Sequence, residues 1–378
     1  MTNLRPEVAA AIANQRNDAP PSFDPENITP QSFAARLVTW QRIYGRNDLP
    51  WQNTTDPYRI WLSEIMLQQT QVSAVIPYYE RFLSVFPDVQ ALANAPVERV
   101  MECWSGLGYY SRARNLHRCA QRLVADFAGA FPVDVEALQK LPGIGRSTAS
   151  AISAFAFGLR APILEGNVKR VLTRHAGIKG YPGERKIEEQ LWRIAERRMP
   201  DTHIEAYTQG MMDLGATICT RANPTCMLCP VAADCEARIE GSTDRLPAPR
   251  PKKTVPRRTV TMVLLLHQQA VLVERRPPLG IWGGLWSLPE LPGDVDAELY
   301  CATRFSAKVR ADPPMVDVEH GFTHFHLTIT PQPCTVLSWN ARAEEPGLLW
   351  LPLMEAGGAA LPAPVKKLLM GLPRQGAR

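Results

Sequence analysis

The spacing of the apolar residues changes once along this chain of 378 residues, and the change separates two parts of different fold class. From about Phe33 to Met212, apolar residues recur at helical intervals between short glycine and proline breaks, as in the runs 60–62 and 65–67. Beyond residue 258 they alternate with polar residues at a period of two, which is typical of strands. The pattern predicts an all-helical first part and a smaller α+β domain after it, because a chain of this length exceeds one ordinary core.

The stretch between the two parts is rich in proline and in basic residues. Residues 244–258 contain four prolines and six lysines or arginines, a composition that predicts a semi-rigid linker. We therefore expect a loosely ordered N-terminal arm, a helical domain, this linker and a second domain over residues 1–30, 31–243, 244–258 and 259–373. Within the second domain the pattern predicts three strands and a closing helix, at residues 259–266, 271–276, 322–330 and 365–370.

Charge and hydropathy restrict the setting in which the chain works. A formal net charge of +5 and a pI near 8.8 are compatible with a polyanionic partner but do not prove one. No segment reaches the roughly 18 consecutive apolar residues of a membrane span, and residues 1–25 lack the basic and apolar regions of a secretion signal. We therefore expect a cytoplasmic protein that has no membrane partner.

Half of the eight cysteines are crowded into seventeen residues, with the spacing Cys219-x6-Cys226-x2-Cys229-x5-Cys235. Four thiolates so close together bind either zinc or an iron–sulfur cluster. Zinc sites usually combine two separate Cys-x-x-Cys pairs, and only one such pair is present, so the spacing favours a cluster without excluding zinc. We expect the remaining, scattered cysteines in the hydrophobic core: Cys103, Cys119, Cys301 and Cys334.

The segment Leu141-Pro-Gly-Ile-Gly-Arg146 precedes an apolar helical run. Gly143 and Gly145 permit a tight backbone turn, and the N–H groups at the start of the next helix favour a bound phosphate. The segment resembles the hairpin of a helix-hairpin-helix motif, which holds a DNA phosphate without reading sequence. An ordinary connector between two helices is the simpler interpretation of Gly-x-Gly taken alone.

The hairpin and the cysteine spacing together resemble the iron–sulfur DNA glycosylase superfamily. Within it, three further segments resemble the MutY-type adenine DNA glycosylases: Leu62-Ser-Glu-Ile-Met-Leu-Gln-Gln-Thr70, Gly106-Leu-Gly-Tyr-Tyr110 and Gly166-Asn-Val-Lys-Arg170. The resemblance implies a helical catalytic domain with a [4Fe–4S] cluster on the four crowded cysteines. It also implies a monomeric enzyme that flips adenine, opposite 8-oxoguanine or guanine in duplex DNA, and hydrolyses its N-glycosidic bond. Association with the nucleoid and with repair or replication proteins is compatible with it.

Glu64 is the candidate catalytic acid. A lone carboxylate on an amphipathic helix is more often a solvated surface group. Here Trp61 and Leu67 lie one turn away on either side, so we expect desolvation to raise the pKa of Glu64. Adenine leaves readily only after a ring nitrogen is protonated, and a carboxylic acid that is neutral near pH 7 can supply that proton. The resemblance implies the same role, protonation of N7 of the flipped base.

A second carboxylate is implied directly before the segment 166–168, where it would stabilise the cationic sugar that base loss leaves. The family has aspartate at this position, and this chain has Glu165, which is one methylene longer. We expect a retained carboxylate that sits differently against the sugar. The alternative is a surface substitution in a chain that has lost full activity.

Ser147 occupies the hairpin position where related glycosylase-lyases carry a Schiff-base lysine. Its presence implies hydrolysis without strong strand cleavage, although nearby Lys169 leaves a weak lyase activity open. The resemblance assigns Gly143, Gly145, Ser147 and Lys169 to DNA binding.

Other residues match positions that handle the DNA and the extruded base. Gln69, within Gln68-Gln69-Thr70, and Tyr109 resemble groups that fill the space an extruded base leaves. Trp51 and Gln209 match positions that line the adenine pocket. Each also has a purely structural interpretation, because buried tyrosine, tryptophan and glutamine are common. Four arginines at helical spacing are candidates for phosphate contacts or for a solvated face: Arg112, Arg114, Arg118 and Arg122.

A Gly/Trp-rich loop, residues 275–289, follows the second predicted strand. It resembles the C-terminal domain of MutY-type enzymes, which is Nudix-like, but no Arg-Glu-x-x-Glu-Glu run follows it, so recognition and not nucleotide hydrolysis is implied. Phe322-Thr323-His324 resembles the family's Phe-Ser-His loop that contacts 8-oxoguanine, with threonine for serine. The three histidines in residues 320–326 permit a metal site as an alternative, although no acidic or thiol partner is close in sequence.

Three other functions stay open on the sequence. A glycosylase-lyase for oxidised pyrimidines is disfavoured by Ser147 and by the C-terminal domain. A non-catalytic or weakened iron–sulfur DNA-binding protein is made conceivable by Glu165. A nucleotide hydrolase is disfavoured by the missing acidic run.

Overall fold

The structure is a computed structural model that describes residues 32–251, 255–277, 280–293, 295–322, 324–339 and 347–372. The predicted arm over residues 1–30 lies outside the described residues, as does Thr323. The chain divides into two compact units, Met1–Ala93 with Arg118–Lys252, and Asn94–His117 with Lys253–Arg378. Residues 94–117 thus group with the C-terminal part of the chain, although their sequence pattern is that of the helical domain.

Helices make up most of the described chain before residue 240, as the apolar spacing predicts. They are, in chain order, α1 (Phe33–Tyr44), α2 (Pro57–Leu67), α3 (Val72–Val85), α4 (Val89–Asn94), α5 (Val97–Trp104), α6 (Ser111–Phe127), α7 (Val135–Gln139), α8 (Arg146–Phe157), α9 (Gly166–His175), α10 (Arg185–Arg198), α11 (Ile204–Asp213) and α12 (Glu236–Ile239). A π-helical turn, Leu214–Ile218, continues α11 towards the crowded cysteines.

Local sequence signals fix where several of these helices begin. The hydroxyl of Ser32 accepts the Ala35 N–H at 3.2 Å and caps α1. Asp56 accepts the Tyr58 N–H at 2.9 Å, and Pro57 occupies the first position of α2, where its missing N–H costs nothing. The start of α2 in turn determines which face of the helix carries Glu64.

The core of the first unit forms where α1, α8, α9, α10 and α11 bring their apolar faces together. Leu37, Leu172 and Leu191 are completely buried there. Leu164 and Val168 belong to the same core, on either side of Glu165 along the chain. Since burial of one such side chain contributes about 1.5–3 kcal/mol, the backbone that carries Glu165 is held in place by its neighbours.

One sheet forms the framework of the second unit. Its strands, among the described residues, are β1 (Arg257–His267), β2 (Ala270–Arg275), β3 (Trp286–Ser287), β4 (Glu290–Leu291), β5 (Ala307–Ala311), β6 (Val318–Gly321), β7 (His326–Trp339) and β8 (Leu348–Pro352). β1 and β7 run parallel, from the pair Arg257 and His326 to the pair Leu266 and Thr335. Among the described residues that follow β1, the α-helices are α13 (Ala297–Phe305) and α14 (Ala363–Met370), which agrees with the expected α+β class.

Two expectations for the second domain need correction. The strand predicted over residues 322–330 begins only at His326, because the Phe322 N–H donates to the Phe325 carbonyl at 2.8 Å and closes a turn between β6 and β7. His324 therefore lies in this turn and shares no strand face with His326. β1 also begins at Arg257, so the last residues of the predicted linker belong to a strand.

Candidate active site and nucleic-acid interface

Glu64 lies at the wall of a cavity of about 320 Å³ in the first unit. Trp51 and Gln209 line the same cavity, so the structure brings together three residues that the sequence predicts around an extruded base. The volume falls in the range of small-molecule sites, about 300–1,000 Å³. A cavity of this size with a carboxyl group in its wall can enclose a planar heterocycle and exchange a proton with it.

The surroundings of Glu64 raise its pKa from the ordinary 4.5 to about 7. Desolvation by burial is the larger cause, and the negative charge of Glu165 adds to it. Trp61 and Ile60, on the same helix, are almost fully buried and supply part of the apolar environment. The direction agrees with the expectation from the apolar neighbours, and it leaves about half of the carboxyl groups protonated at pH 7.

Glu165 is the N-cap of α9. Its carboxylate accepts the Asn167 N–H at 2.8 Å and the Val168 N–H at 3.0 Å, so the longer side chain folds back onto its own helix. Burial raises the pKa of Glu165, and the two backbone N–H groups oppose that rise. Glu165 is half-buried and lies close enough to Glu64 to raise its pKa, which separates it from a plain surface substitution.

Ser147 and Lys169 both contact the surroundings of this carboxylate. The Ser147 hydroxyl accepts the Leu164 N–H at 3.0 Å and so fixes the residue directly before Glu165. Lys169 forms an ion pair with Glu188, with 2.6 Å between Nζ and Oε1. The serine thus has a structural contact of its own, and the amine nearest in sequence to Glu165 is held by a carboxylate on α10.

Two charged residues behind Gln209 were not predicted from the sequence. Asp213 is fully buried and accepts the Gln209 amide N–H at 2.8 Å. Arg46 donates to the same carboxylate through Nε at 2.7 Å and through its backbone N–H at 2.9 Å. The signal that could have revealed the contact is an aspartate four residues after Gln209 on an otherwise apolar helix face.

The predicted hairpin combines a left-handed glycine with the start of a helix that a glycine caps. Gly143 adopts a left-handed conformation with φ +80°, which a residue with a Cβ rarely adopts. Gly145 is the N-cap of α8, and it has no side chain that could accept a hydrogen bond from the first turn of that helix. The N–H groups at this helix start therefore lack a side-chain cap, as a phosphate-binding helix end requires.

Gln69 and Tyr109 both have left-handed backbone conformations, with φ of +59° and +50°. Such conformations cost free energy in residues other than glycine and are concentrated at functional sites. Gln69 is exposed, and the Tyr109 side chain is 48% exposed although it follows a segment rich in buried residues. Both side chains are therefore presented to the solvent by strained backbone, as wedge residues would be.

The arginines after Tyr109 do not form a uniformly solvated row. Arg112 is buried, donates to the Gly108 carbonyl at 3.1 Å and lies over the Trp104 ring, and its burial lowers its pKa to about 10. Arg114 donates to the Gly283 carbonyl. Arg122 pairs with Asp126 at 2.7 Å. Arg112 and Arg114 thus make contacts within the protein, which their helical spacing alone does not predict.

The four crowded cysteines line one small, largely apolar cavity together with Arg174. Arg174 donates to Cys219 Sγ at 3.4 Å and to the Thr220 carbonyl at 2.7 Å. Burial raises the pKa of the Cys229 thiol to about 12. Within the described residues, no three or more His, Cys, Asp or Glu side chains are grouped as ligands of a single metal ion. The four cysteines therefore share one cavity wall.

The turn between β6 and β7 carries the residues predicted to contact the lesion. Phe322 is half-buried, and its ring stacks on Phe325 with 4.5 Å between the centroids. His324 is exposed, and Thr323 lies outside the described residues. The α13 helix of this domain carries one acidic residue, Glu298, whose carboxylate accepts the Ala311 N–H at 2.9 Å. A single carboxylate in that position does not form the metal-binding acidic helix of a nucleotide hydrolase.

Within the described part of the chain, no helix is both long and apolar enough to cross a membrane.

Two family models match the chain. The model of the HhH-GPD superfamily of base excision DNA repair proteins matches residues 62–197, and the model of the NUDIX domain matches residues 260–371. The first range contains Glu64, the hairpin and Glu165, and the second contains the turn of Phe322.

Curated relatives and one solved structure extend this likeness. The adenine DNA glycosylase of Buchnera aphidicola subsp. Acyrthosiphon pisum (strain APS) is 36% identical over 344 residues, which is 90% of this chain and 98% of the relative. The adenine DNA glycosylase of Homo sapiens is 31% identical over 400 residues, which is 89% of this chain and 73% of the relative. The structure of a thermostable thymine-DNA glycosylase is 28% identical with a TM-score of 0.51, and covers 55% of this chain and 95% of that chain.

Proposed function

We propose the reaction of this chain from one premise: it belongs to the adenine DNA glycosylases, within the HhH-GPD superfamily of base excision DNA repair proteins. The chain is therefore an enzyme that acts on DNA and removes adenine. Its proposed substrate is adenine opposite 8-oxoguanine or guanine in duplex DNA, and the proposed chemistry is hydrolysis of the N-glycosidic bond without strand cleavage. The observation that carries the proposal is a carboxyl group with a pKa near 7 in the wall of a base-sized cavity.

Glu64 is proposed as the general acid. When the extruded adenine enters the cavity, the neutral carboxyl group donates its proton to N7. Protonation makes the base a better leaving group, so the bond between C1′ and N9 breaks and its electron pair stays on the adenine. The sugar is left with positive charge at C1′. Glu64 becomes a carboxylate that can accept a proton from the attacking water as its oxygen bonds to C1′.

Glu165 is proposed as the anion that stabilises this cationic sugar. The backbone N–H groups of Asn167 and Val168 stabilise its charged form, which compensates for part of the cost of burial. The same two bonds fix the carboxylate before the substrate arrives, so little reorganisation is needed when the charge develops. The extra methylene relative to aspartate is taken up by the folding back of the side chain.

The residues around the cysteine cavity fit a [4Fe–4S] cluster. Cys219, Cys226, Cys229 and Cys235 would hold it, and the Arg174 guanidinium beside Cys219 would offset part of the negative charge of four thiolates. A bound cluster would supply rigid cross-links among the loops after α11. Four thiols around one cavity, with the spacing Cys219-x6-Cys226-x2-Cys229-x5-Cys235, support a cluster over a single zinc ion.

The remaining predicted residues are proposed to hold the DNA. Gly143 and Gly145 present helix N–H groups to a phosphate, and Lys169, on α9, is a second candidate for a phosphate contact. Gln69 and Tyr109 enter the duplex when the base leaves it. Trp51 and Gln209 enclose the base, and Phe322, Thr323 and His324 contact the 8-oxoguanine that stays in the helix.

A gel assay on three duplexes tests the proposal, with a single adenine opposite 8-oxoguanine, guanine or thymine. We expect strand breaks only after alkali, about tenfold or more faster opposite 8-oxoguanine than opposite guanine, and none opposite thymine. Trapping with borohydride should give little covalent product, because Lys169 is paired with Glu188 and Ser147 is no amine. Breaks without alkali would instead identify a glycosylase-lyase, and equal rates opposite 8-oxoguanine and guanine would contradict the lesion specificity.

A further inference from the structure

The Gly/Trp-rich loop between β2 and β3 has no role in the proposed reaction, yet it holds an unusual residue. Trp282 is buried and has a φ of +56°, in the left-handed region that a bulky residue rarely adopts. A conformation of this kind persists only where its surroundings determine it strongly. The contacts of Trp282 therefore indicate which part of the domain the loop supports.

Trp282 contacts the turn that carries the lesion-contacting residues and the strand directly before it. The Trp282 ring lies 5.6 Å from the Phe322 ring and 5.8 Å from the His320 ring, centroid to centroid. His320 in turn packs edge-on against Phe322 at 4.7 Å and 85°. Tilted and edge-to-face arrangements at these distances are the favourable ones for aromatic pairs. Trp282 thus supports Phe322 both directly and through His320.

The Phe322 ring has a further aromatic neighbour. It stacks on Phe325 with 22° between the ring planes, and the Arg258 guanidinium lies 4.7 Å above the Phe325 ring. The Phe322 ring is thus contacted by Trp282, His320 and Phe325, and the ring of the exposed His324 lies 6.2 Å from it. The turn combines a tightly held aromatic ring with an exposed polar tip.

The same loop is tied to the segment that presents Tyr109. The Gly283 carbonyl, next to Trp282, accepts a hydrogen bond from Arg114, five residues after Tyr109 on α6. Tyr110 donates its hydroxyl proton to the Leu361 carbonyl at 3.2 Å, and Ser105 donates to the Ala359 carbonyl at 3.1 Å. Asn94–His117 and the C-terminal sheet domain belong to one compact unit. The lesion-contacting turn and the Tyr109 segment are therefore fixed to a common support.

We propose that Trp282 is a positioning residue for lesion recognition. It holds Phe322 in the geometry needed to contact 8-oxoguanine. Through the hydrogen bond between Gly283 and Arg114, it also fixes the position of that turn relative to Tyr109. This inference rests on the proposed function, because it assumes that the turn contacts the lesion. Preorganised contacts lower the cost of ordering on binding, so their loss affects the lesion pair selectively and leaves proton transfer from Glu64 intact.

Substitutions at Trp282 in the full-length protein test the inference. Single-turnover rates of adenine release would be measured opposite 8-oxoguanine and opposite guanine, together with thermal unfolding. We expect W282L to lower the ratio of the two rates about fivefold or more, with the rate opposite guanine changed less than about twofold. W282F, which keeps an aromatic ring, should recover most of the ratio. W339L, which changes an exposed tryptophan of the same domain, should leave the ratio unchanged.

A second variant, at Arg114 on α6, tests the same contact between the loop and the Tyr109 segment. R114M keeps the apolar stem but cannot donate to the Gly283 carbonyl, so it should lower the ratio in the same direction even where W282L fails to fold. An unchanged ratio in either folded variant, or an equal fall opposite 8-oxoguanine and guanine, would overturn the inference. A wild-type ratio near one would instead refute the proposed lesion specificity, so the two failures are distinguishable.

Discussion

The rate of adenine release should follow the protonation of Glu64. Its pKa is raised to about 7, and only the protonated form can donate. Because the pKa is raised, the competent form is complete at low pH and is lost as pH rises through 7. The protonated fraction falls from about 0.9 at pH 6 to about 0.01 at pH 9, so we expect release to be about 90-fold slower at pH 9 than at pH 6.

The substitution Glu165→Gln tests the cause of this shift. The glutamine keeps an oxygen that can accept a helix N–H, but it removes the charge that adds to the pKa of Glu64. Since desolvation is the larger of the two causes, the loss of this charge should remove less than half of the rise from 4.5 to about 7. The inflection of the residual activity should therefore move to lower pH and stay well above 4.5.

Single-turnover assays from pH 5.5 to pH 9 measure both effects. The enzyme is kept in excess and duplex binding is checked at each pH, so that the observed rate reports base removal and not affinity. Bound DNA phosphates add negative charge, which moves the inflection upward and not downward. A pH-independent rate, a wild-type inflection near 4.5, or an upward movement in E165Q would refute the reasoning.

Three further expectations concern the surroundings of the site. D213N leaves the Arg46 guanidinium without its buried partner, so it should lower the free energy of unfolding, measured by chemical denaturation, by about 3 kcal/mol. It should also weaken the Gln209 contact, which KM measurements would reveal. G143A forces a Cβ into a backbone with φ +80°, so it should weaken binding to damaged and undamaged duplexes alike, as fluorescence anisotropy would measure. A loss of binding to only one of the two duplexes would contradict a phosphate-holding role. C229S should lower the iron and acid-labile sulfide that copurify with the protein, and an unchanged content would contradict the ligand set.

Periodicity and local signals were sufficient to predict the fold class and the position of Glu64. The apolar run around Glu64 fixes one face of α2, and its neighbours on that face desolvate the carboxyl group regardless of the rest of the fold. The cysteine spacing likewise predicts that the four thiols hold a single object, and the four cysteines line one cavity. These features depend on residues close together in sequence, where the helical repeat restricts the geometry.

Contacts between distant residues could not be predicted in this way. Arg46 and Asp213 are separated by 167 residues, and neither residue type nor spacing indicates their ion pair. The period-two pattern predicts a strand that includes Phe322, whereas the hydrogen bond from the Phe322 N–H to the Phe325 carbonyl closes a turn before β7 begins. The support that Trp282 gives to Phe322 joins separate loops and appears only in the folded unit.

The most direct test of the central claim is the amount of free adenine that the protein releases from a duplex with one adenine opposite 8-oxoguanine. We expect wild-type protein to release one adenine per duplex. E64Q should bind the duplex but release adenine about 10²–10⁴-fold more slowly, whereas E189Q, on an exposed face of α10, should match the wild type. Release by E64Q at the wild-type rate would contradict the assignment of Glu64 as the acid.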